Sequence, residues 1–215
     1  MGNTLLLFIE TIIFVTIVLL HLTKKGAASI WLYVVQSSAI AILLLLSYFG
    51  EPSLLLALAI GAVLVVKILV APAFFFRLLK RHQLKFSAST YLSMPLTLLA
   101  IAAVVALTQS TLSSSIVTLA PLRQNILLIC AASIFIALFL LINRKGALSQ
   151  MLGILSLENS IVSFAIFAGL EQNPGLQLGI IFDILIWVII ASVFASMIYR
   201  HFGSLDVTEM KKLTE

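Results

Sequence analysis

Four ionisable residues stand inside long apolar runs: Glu10, Lys67, Glu158 and Asp183. Glu158 is the deepest. It lies near the middle of its run, in the stretch Gly153-Ile-Leu-Ser-Leu-Glu158-Asn159-Ser-Ile-Val-Ser163. A helix rises about 1.5 Å per residue and the hydrocarbon core of a bilayer is about 30 Å thick, so a spanning helix would hold Glu158 near the midplane. A carboxylate there costs about 2.5–3.5 kcal/mol on insertion scales, and it faces a bundle interior, a partner or a water path. Burial and a neighbouring cation act in opposite directions on a carboxyl group. A group caught between them takes up and releases a proton, which is the chemistry of a proton relay. Asn159 can hydrogen-bond it or hold a water. The alternative is a neutral Glu158 that donates an interhelical hydrogen bond.

Lys67 is the natural counter-charge. It lies too deep to carry its ammonium fully to the headgroups, and a buried lysine responds readily to its surroundings. It either tunes a relay or forms a structural ion pair with Glu158, Asp183 or an acid on another chain. Asp183 and Glu10 lie nearer the ends of their runs, at a depth of roughly 9–10 Å along the helix. Each either joins the relay or reaches interfacial water. Gln36 reads as an interhelical hydrogen bond, a contact worth below about 1 kcal/mol on average in membranes. The candidate proton relay is therefore Glu158, Lys67, Asp183 and Glu10, with Asn159 and Gln36 as supporting polar groups.

Other chemistries find no residues. CxxC, HExxH, GxSxG and GxGxxG are absent, and His21, His82 and His201 stand far apart. The single cysteine, Cys130, lies in an apolar run, which leaves no internal disulfide and no thiolate site. No catalytic residue, metal or cofactor is expected, and enzymatic action by this chain alone is not.

The elements that position these groups follow from composition. Of 215 residues 62% are hydrophobic and 10% charged, against about 25% charged in a soluble domain. So few charges cannot coat a soluble surface, and the lipid bilayer becomes the first partner. The net charge of +5 is no argument for nucleic acid, because basic residues set topology in a membrane protein. The beginning of the chain lacks the basic region and cleavage site of a signal peptide and is expected to be the first membrane helix.

The apolar runs are 3–22, 28–49, 54–76, 89–108, 123–142, 148–170 and 176–200, each near the length needed to span. Pro72 should kink the third run near its end. A Ser/Thr-rich loop is expected over 109–122. Phe74-Phe75-Phe76, Trp31 and Tyr33 read as interfacial aromatics, and Gly175-x-x-x-Gly179 as a weak packing signal. Alternate loops carry Lys24 and Lys25; Arg77, Lys80, Arg81 and Lys85; Arg144 and Lys145; and Arg200, Lys211 and Lys212. These are eleven of the 13 basic residues. The other loops carry Glu51, Glu171 and Arg123. The predicted fold is therefore all-α: a polytopic membrane protein with seven transmembrane helices over residues 1–200, its N-terminus outside and its tail, 201–215, cytoplasmic.

An internal repeat is a further reading. Lys25-Gly26-Ala27-Ala28-Ser29 and Lys145-Gly146-Ala147-Leu148-Ser149 open the second and sixth helices, and Gln36 and Glu158 stand equally far before Pro52 and Pro174. A parallel duplication of helices one to three and five to seven accounts for both. So does the frequency of basic–Gly–small helix boundaries.

The residues Leu32, Tyr33, Gln36 and Ser37, Lys67 followed by Pro72, Leu157-Glu158-Asn159 and Ser204-Leu205-Asp206 together resemble the hydrogenase-4 component E family. These are membrane subunits of formate hydrogenlyase and related nickel–iron hydrogenase complexes. Residues 123–200 are also similar to chain K of NADH-quinone oxidoreductase. Glu158 matches the first intramembrane acid of that subunit; Asp183 stands loosely for the second, as an aspartate at shorter spacing. The resemblance implies a cofactor-free subunit of the inner (cytoplasmic) membrane. Its partners would be antiporter-like subunits and those that anchor a redox arm, and its buried acids would pass protons or transmit charge. The same residues would also suit a subunit of a multisubunit cation/proton antiporter, or a scaffold whose ion pairs fix helix register.

Overall fold

The computed structural model describes residues 3–81, 89–119, 123–170 and 173–202, and every regular element among them is a helix. In order these are α1 (Asn3–Leu22), α2 (Gly26–Gly50), α3 (Leu54–Ala62), a π-helical stretch (Val63–Val70), α4 (Ala71–Arg81), α5 (Met94–Leu119), α6 (Gln124–Asn143), α7 (Ala147–Phe167) and α8 (Pro174–Phe202). Among the described residues six helices are long and apolar enough to cross a membrane, with α3, the π stretch and α4 forming one of them, Leu54–Arg77. Large apolar side chains such as Phe8, Trp31, Phe49, Leu99 and Ile142 point outward. So many large apolar side chains facing outward suit a lipid-facing surface rather than a water-facing one. The chain is an all-helical, multi-pass membrane protein.

The packing order is regular. α1 packs against α6, α2 against α7 and α3 against α8, while α6 and α7 form a close hairpin and α5 lies along α6. At one end of the bundle the connections interlock: Tyr91 N–H donates to Asn143 O at 3.0 Å, Lys145 N–H to Ser89 O at 3.1 Å, and Thr90 bridges Arg144. The Lys145 ammonium lies 5.0 Å from the centre of the Tyr91 ring.

Several local expectations are corrected. The Ser/Thr-rich segment expected as a loop over 109–122 is helical to Leu119. No glycine or proline lies between Pro95 and Pro121 to break it. Its hydroxyls turn back onto the helix, with Ser110 donating to Leu107 O at 3.1 Å and Thr111 to Leu107 O at 2.6 Å. Pro72 is accompanied by the π stretch just before it. Proline has no N–H to give the carbonyl four residues back. The ladder widens, and Ala71 N–H reaches Val66 O. Tyr33 and Phe75, expected at the interface, are buried in a cluster with Ile30, Ala71, Leu148 and Leu155. Trp31 is exposed and meets Phe76 at 5.9 Å between ring centres.

The close helix–helix glycine contact is not in the Gly175–Gly179 pair, where a Cβ at Gly175 would meet only Asn173 Oδ1, at 3.2 Å, two residues back in the chain. A Cβ at Gly179 would meet nothing within 4 Å, whereas one at Gly153 would meet the Leu141 backbone at 3.4 Å. Gly153 therefore sets the α6–α7 separation. Gly153→Leu should lower stability by about 1–3 kcal/mol through overpacking, read as a lower midpoint of denaturant unfolding in mixed micelles. Gly153→Ala, whose methyl reaches ordinary contact distance, should leave the midpoint nearly unchanged.

Candidate functional site

The π stretch carries Lys67 to the centre of the bundle, where its side chain is fully buried. π turns inside α-helices recur at functional sites. α7 carries Glu158 and Asn159 midway along its length, and α2 presents Gln36 and Ser37 from the other side. Lys67 Nζ lies 2.9 Å from Glu158 Oε1 and donates to Asn159 Oδ1 at 2.7 Å. The Asn159 amide donates to Gln36 Oε1 at 3.3 Å and Ser37 Oγ at 3.1 Å. Glu158 and Lys67 thus belong to one network spanning three elements, with Asn159 as its hub. Asn159 is oriented by its bonds: its carbonyl oxygen takes the cation and its NH₂ faces the α2 acceptors. Buried Tyr33 adds a phenol beside Ser37 and within electrostatic reach of Glu158.

Such a site can hold one excess proton in two ways: as a charged pair, or as a neutral acid beside a neutral amine. The pair is compensated, so the proton can move between its partners without leaving an isolated charge in low dielectric. Tyr33 and Ser37, which spacing alone did not attach to the site, belong to its wall.

For Glu10 the sequence leaves a place in the relay and contact with interfacial water both open. The structure buries it completely between α1, α6 and α7. Ser163 donates to Glu10 Oε2, Ser133 Oγ lies 3.4 Å from Oε1, and Cys130 Sγ lies 3.8 Å from Ser163 Oγ. α1 winds inward because Ile9, Ile13 and Ile17 form its core stripe, and Glu10 rides beside that stripe. Asp183 is on α8, but its side chain lies outside the described residues, as do His82, Lys85, Glu171 and the tail from 203 to 215.

Two residues of the α6–α7 connection have roles that a count of loop charges does not reveal. Arg144 is buried, and its Nη2 donates to the carbonyls of Leu20, His21 and Thr23 at the end of α1. Burial pushes its guanidinium down to about 10, so it is still charged at neutral pH. Asn143 accepts from Leu92 N–H at 3.0 Å and donates to Thr97 Oγ1 at 3.1 Å, which fixes the start of α5. His21 Nε2 lies 3.1 Å from Ile136 O and its ring stacks on Phe139. The carbonyl can only accept, so Nε2 carries the proton. Among the described residues no three His, Cys, Asp or Glu side chains converge as a metal site would require.

No protein-family model and no solved structure matches the chain. The chain is 29% identical over 160 residues to the uncharacterized protein Rv0085 of Mycobacterium tuberculosis, a similarity covering 74% of this chain and 73% of that one.

Proposed function

We propose that the chain is a cofactor-free, non-catalytic subunit of a hydrogenase-type or complex I-like membrane assembly, and that it takes part in proton translocation or charge coupling through Glu158 and Lys67. The observation that carries this reading is the buried network itself. A lysine on a π stretch lies 2.9 Å from a carboxylate at the middle of a membrane-length helix. Intramembrane ionisable groups mark ion pathways more often than any other role. The resemblance to hydrogenase-4 component E and to chain K, carried by Lys67, Glu158 and Asn159, supports the same role. In this reading α8, 29 residues long, is the seventh crossing. The N-terminus is outside, and the interlocked basic connections face the cytoplasm across the inner membrane. The outward apolar faces meet lipid and neighbouring antiporter-like and redox-arm subunits.

The test is Glu158→Gln in the assembled complex, with assembly and ion translocation scored separately. Translocation should fall to background. Because this variant leaves Lys67 without its counter-charge, the charge-neutral pair Lys67→Met with Glu158→Gln is measured alongside. It should assemble and remain inactive. Wild-type translocation in either assembled variant would sink the relay. The scaffold reading has its own support, since the same network ties α2, the π stretch and α7 together. It requires the double variant to retain full activity. An antiporter-type parent complex is distinguished by which subunits copurify in mild detergent.

A further inference from the structure

We propose that Glu10 is a second proton-binding site, closed within the α1–α6–α7 junction, whose resident ligand is a single proton. The inference does not rest on the role assigned to Lys67 and Glu158.

The first observation is charge. The helices that pack against α1 are α2, α5, α6 and α7. Within the bounds of α2, α5 and α6 there is no Asp, Glu, Lys, Arg or His. Their titratable groups are Tyr33 and Tyr48 on α2 and Cys130 on α6. α7 contributes only Glu158, which is paired with Lys67. α1 itself adds His21, engaged with Ile136 O near the other end of that helix, where the buried Arg144 guanidinium also caps the last carbonyls. A fully buried carboxyl with no cation on the helices around it is costly as an anion and inexpensive as an acid.

The second observation is the hydrogen count. The Cys130 thiol is placed to donate to Ser163 Oγ, and the Ser163 hydroxyl donates to Glu10 Oε2. Ser133 has one hydroxyl hydrogen, and Ile129 O accepts it at 2.9 Å. Ser133 Oγ also stands 3.4 Å from Glu10 Oε1, and with its hydrogen on Ile129 O it leaves that edge of the carboxyl to a proton of the acid's own. The Cys130 thiol reaches Glu10 as well as Ser163, so every donor around the carboxyl is neutral. When the acid loses that proton, Ser133 can swing its hydrogen from Ile129 O toward Oε1. One hydroxyl rotation separates the two states. This site differs in kind from Lys67–Glu158: it is a neutral acid among neutral donors. Both sites share α7, through Ser163 and Glu158.

Infrared difference spectroscopy on the full chain in lipid vesicles tests the assignment. A deuterium-sensitive carbonyl stretch of a buried carboxylic acid is expected at neutral pH in the wild type and in Glu158→Gln, and should be lost in Glu10→Gln. Ser133→Ala removes the acceptor of that hydrogen. It should shift the band without abolishing it, and so keeps the test open if Glu10→Gln does not accumulate. The proposal is overturned by a band unchanged in Glu10→Gln, by no such band in the wild type, or by an unshifted band in Ser133→Ala. It is also overturned if sodium chloride removes the band at constant pH, which would make the ligand a metal cation.

Discussion

Lys67→Met should destabilise the folded chain by about 3–5 kcal/mol, the cost of leaving one member of a buried ion pair without its partner. The ammonium is fully buried and Glu158 nearly so, so solvent offers the abandoned carboxylate little compensation. The variant also removes the donor to Asn159 Oδ1, which loosens the hub that holds Gln36 and Ser37. Unfolding by dodecyl sulfate titration in mixed micelles measures the loss. The informative comparison is Lys67→Met combined with Glu158→Gln. Removing both charges replaces a compensated pair with neutral groups, and such exchanges are often neutral or stabilising. The double variant should recover most of the stability lost in Lys67→Met, giving a coupling energy of several kcal/mol across the cycle. Additive losses would mean that the two side chains contribute independently, and the 2.9 Å contact would then have no energetic meaning.

The second large effect is expected at Arg144. The last carbonyls of any helix lack intrahelical donors, and at the end of α1 one guanidinium supplies them for Leu20, His21 and Thr23. A cation there also complements the negative end of the helix dipole. Arg144→Ala should cost about 3 kcal/mol, since hydrogen bonds to a charged donor are worth about 1.5–3 kcal/mol each and the abandoned carbonyls are partly buried. Arg144→Lys should recover less than half of this, because a single ammonium cannot reproduce the fork. Burial holds the Arg144 guanidinium below its ordinary range, at about 10. For a base so depressed, the folded state binds fewer protons than the unfolded state only above about 10. The burial penalty is therefore constant through neutral pH and fades as pH rises from there. The difference in unfolding free energy between wild type and Arg144→Ala should be flat between pH 6 and 8, and a slope there would count against this assignment.

The helices were legible because lipid imposes a simple demand on composition: long runs with few charges, bounded by polar residues. The partnership of Lys67 with Glu158 was legible as chemistry, since an acid at that depth needs a counter-charge and the chain offers one mid-helix cation. The hub was not. That Asn159 turns its carbonyl to Lys67 and its amide to α2 depends on how three distant segments cross. The inward placing of Glu10 was not legible from its depth, because distance along a helix says nothing of which face turns inward. Ile9, Ile13 and Ile17 carried that information. Arg144 looked like its neighbour Lys145, and both satisfy a rule about loop charge. Only the close approach of the α6–α7 turn to the end of α1 makes one a buried cap and leaves the other over a tyrosine ring. Segment 109–119 was misassigned because serine and threonine favour turns in water, where their hydroxyls compete for the backbone. Here those hydroxyls bond back along their own helix.

The pairing of α1 with α6, α2 with α7 and α3 with α8 divides the molecule along a seam, and the buried polar contacts gather on it. Lys67 and Glu158, Gln36 and Asn159, Glu10 and Ser163, His21 and Ile136, and Arg144 and the end of α1 all join the first half to the second. Within each half the helices meet chiefly through apolar cores that hydrocarbon tails could replace at little loss, with Cys130–Ser163 and Asn143–Thr97 as the polar exceptions. The groups on the seam have no such substitute in lipid. Separating the halves would strand these groups in lipid, so the contacts that would serve an ion's passage are also ones that hold the two halves together.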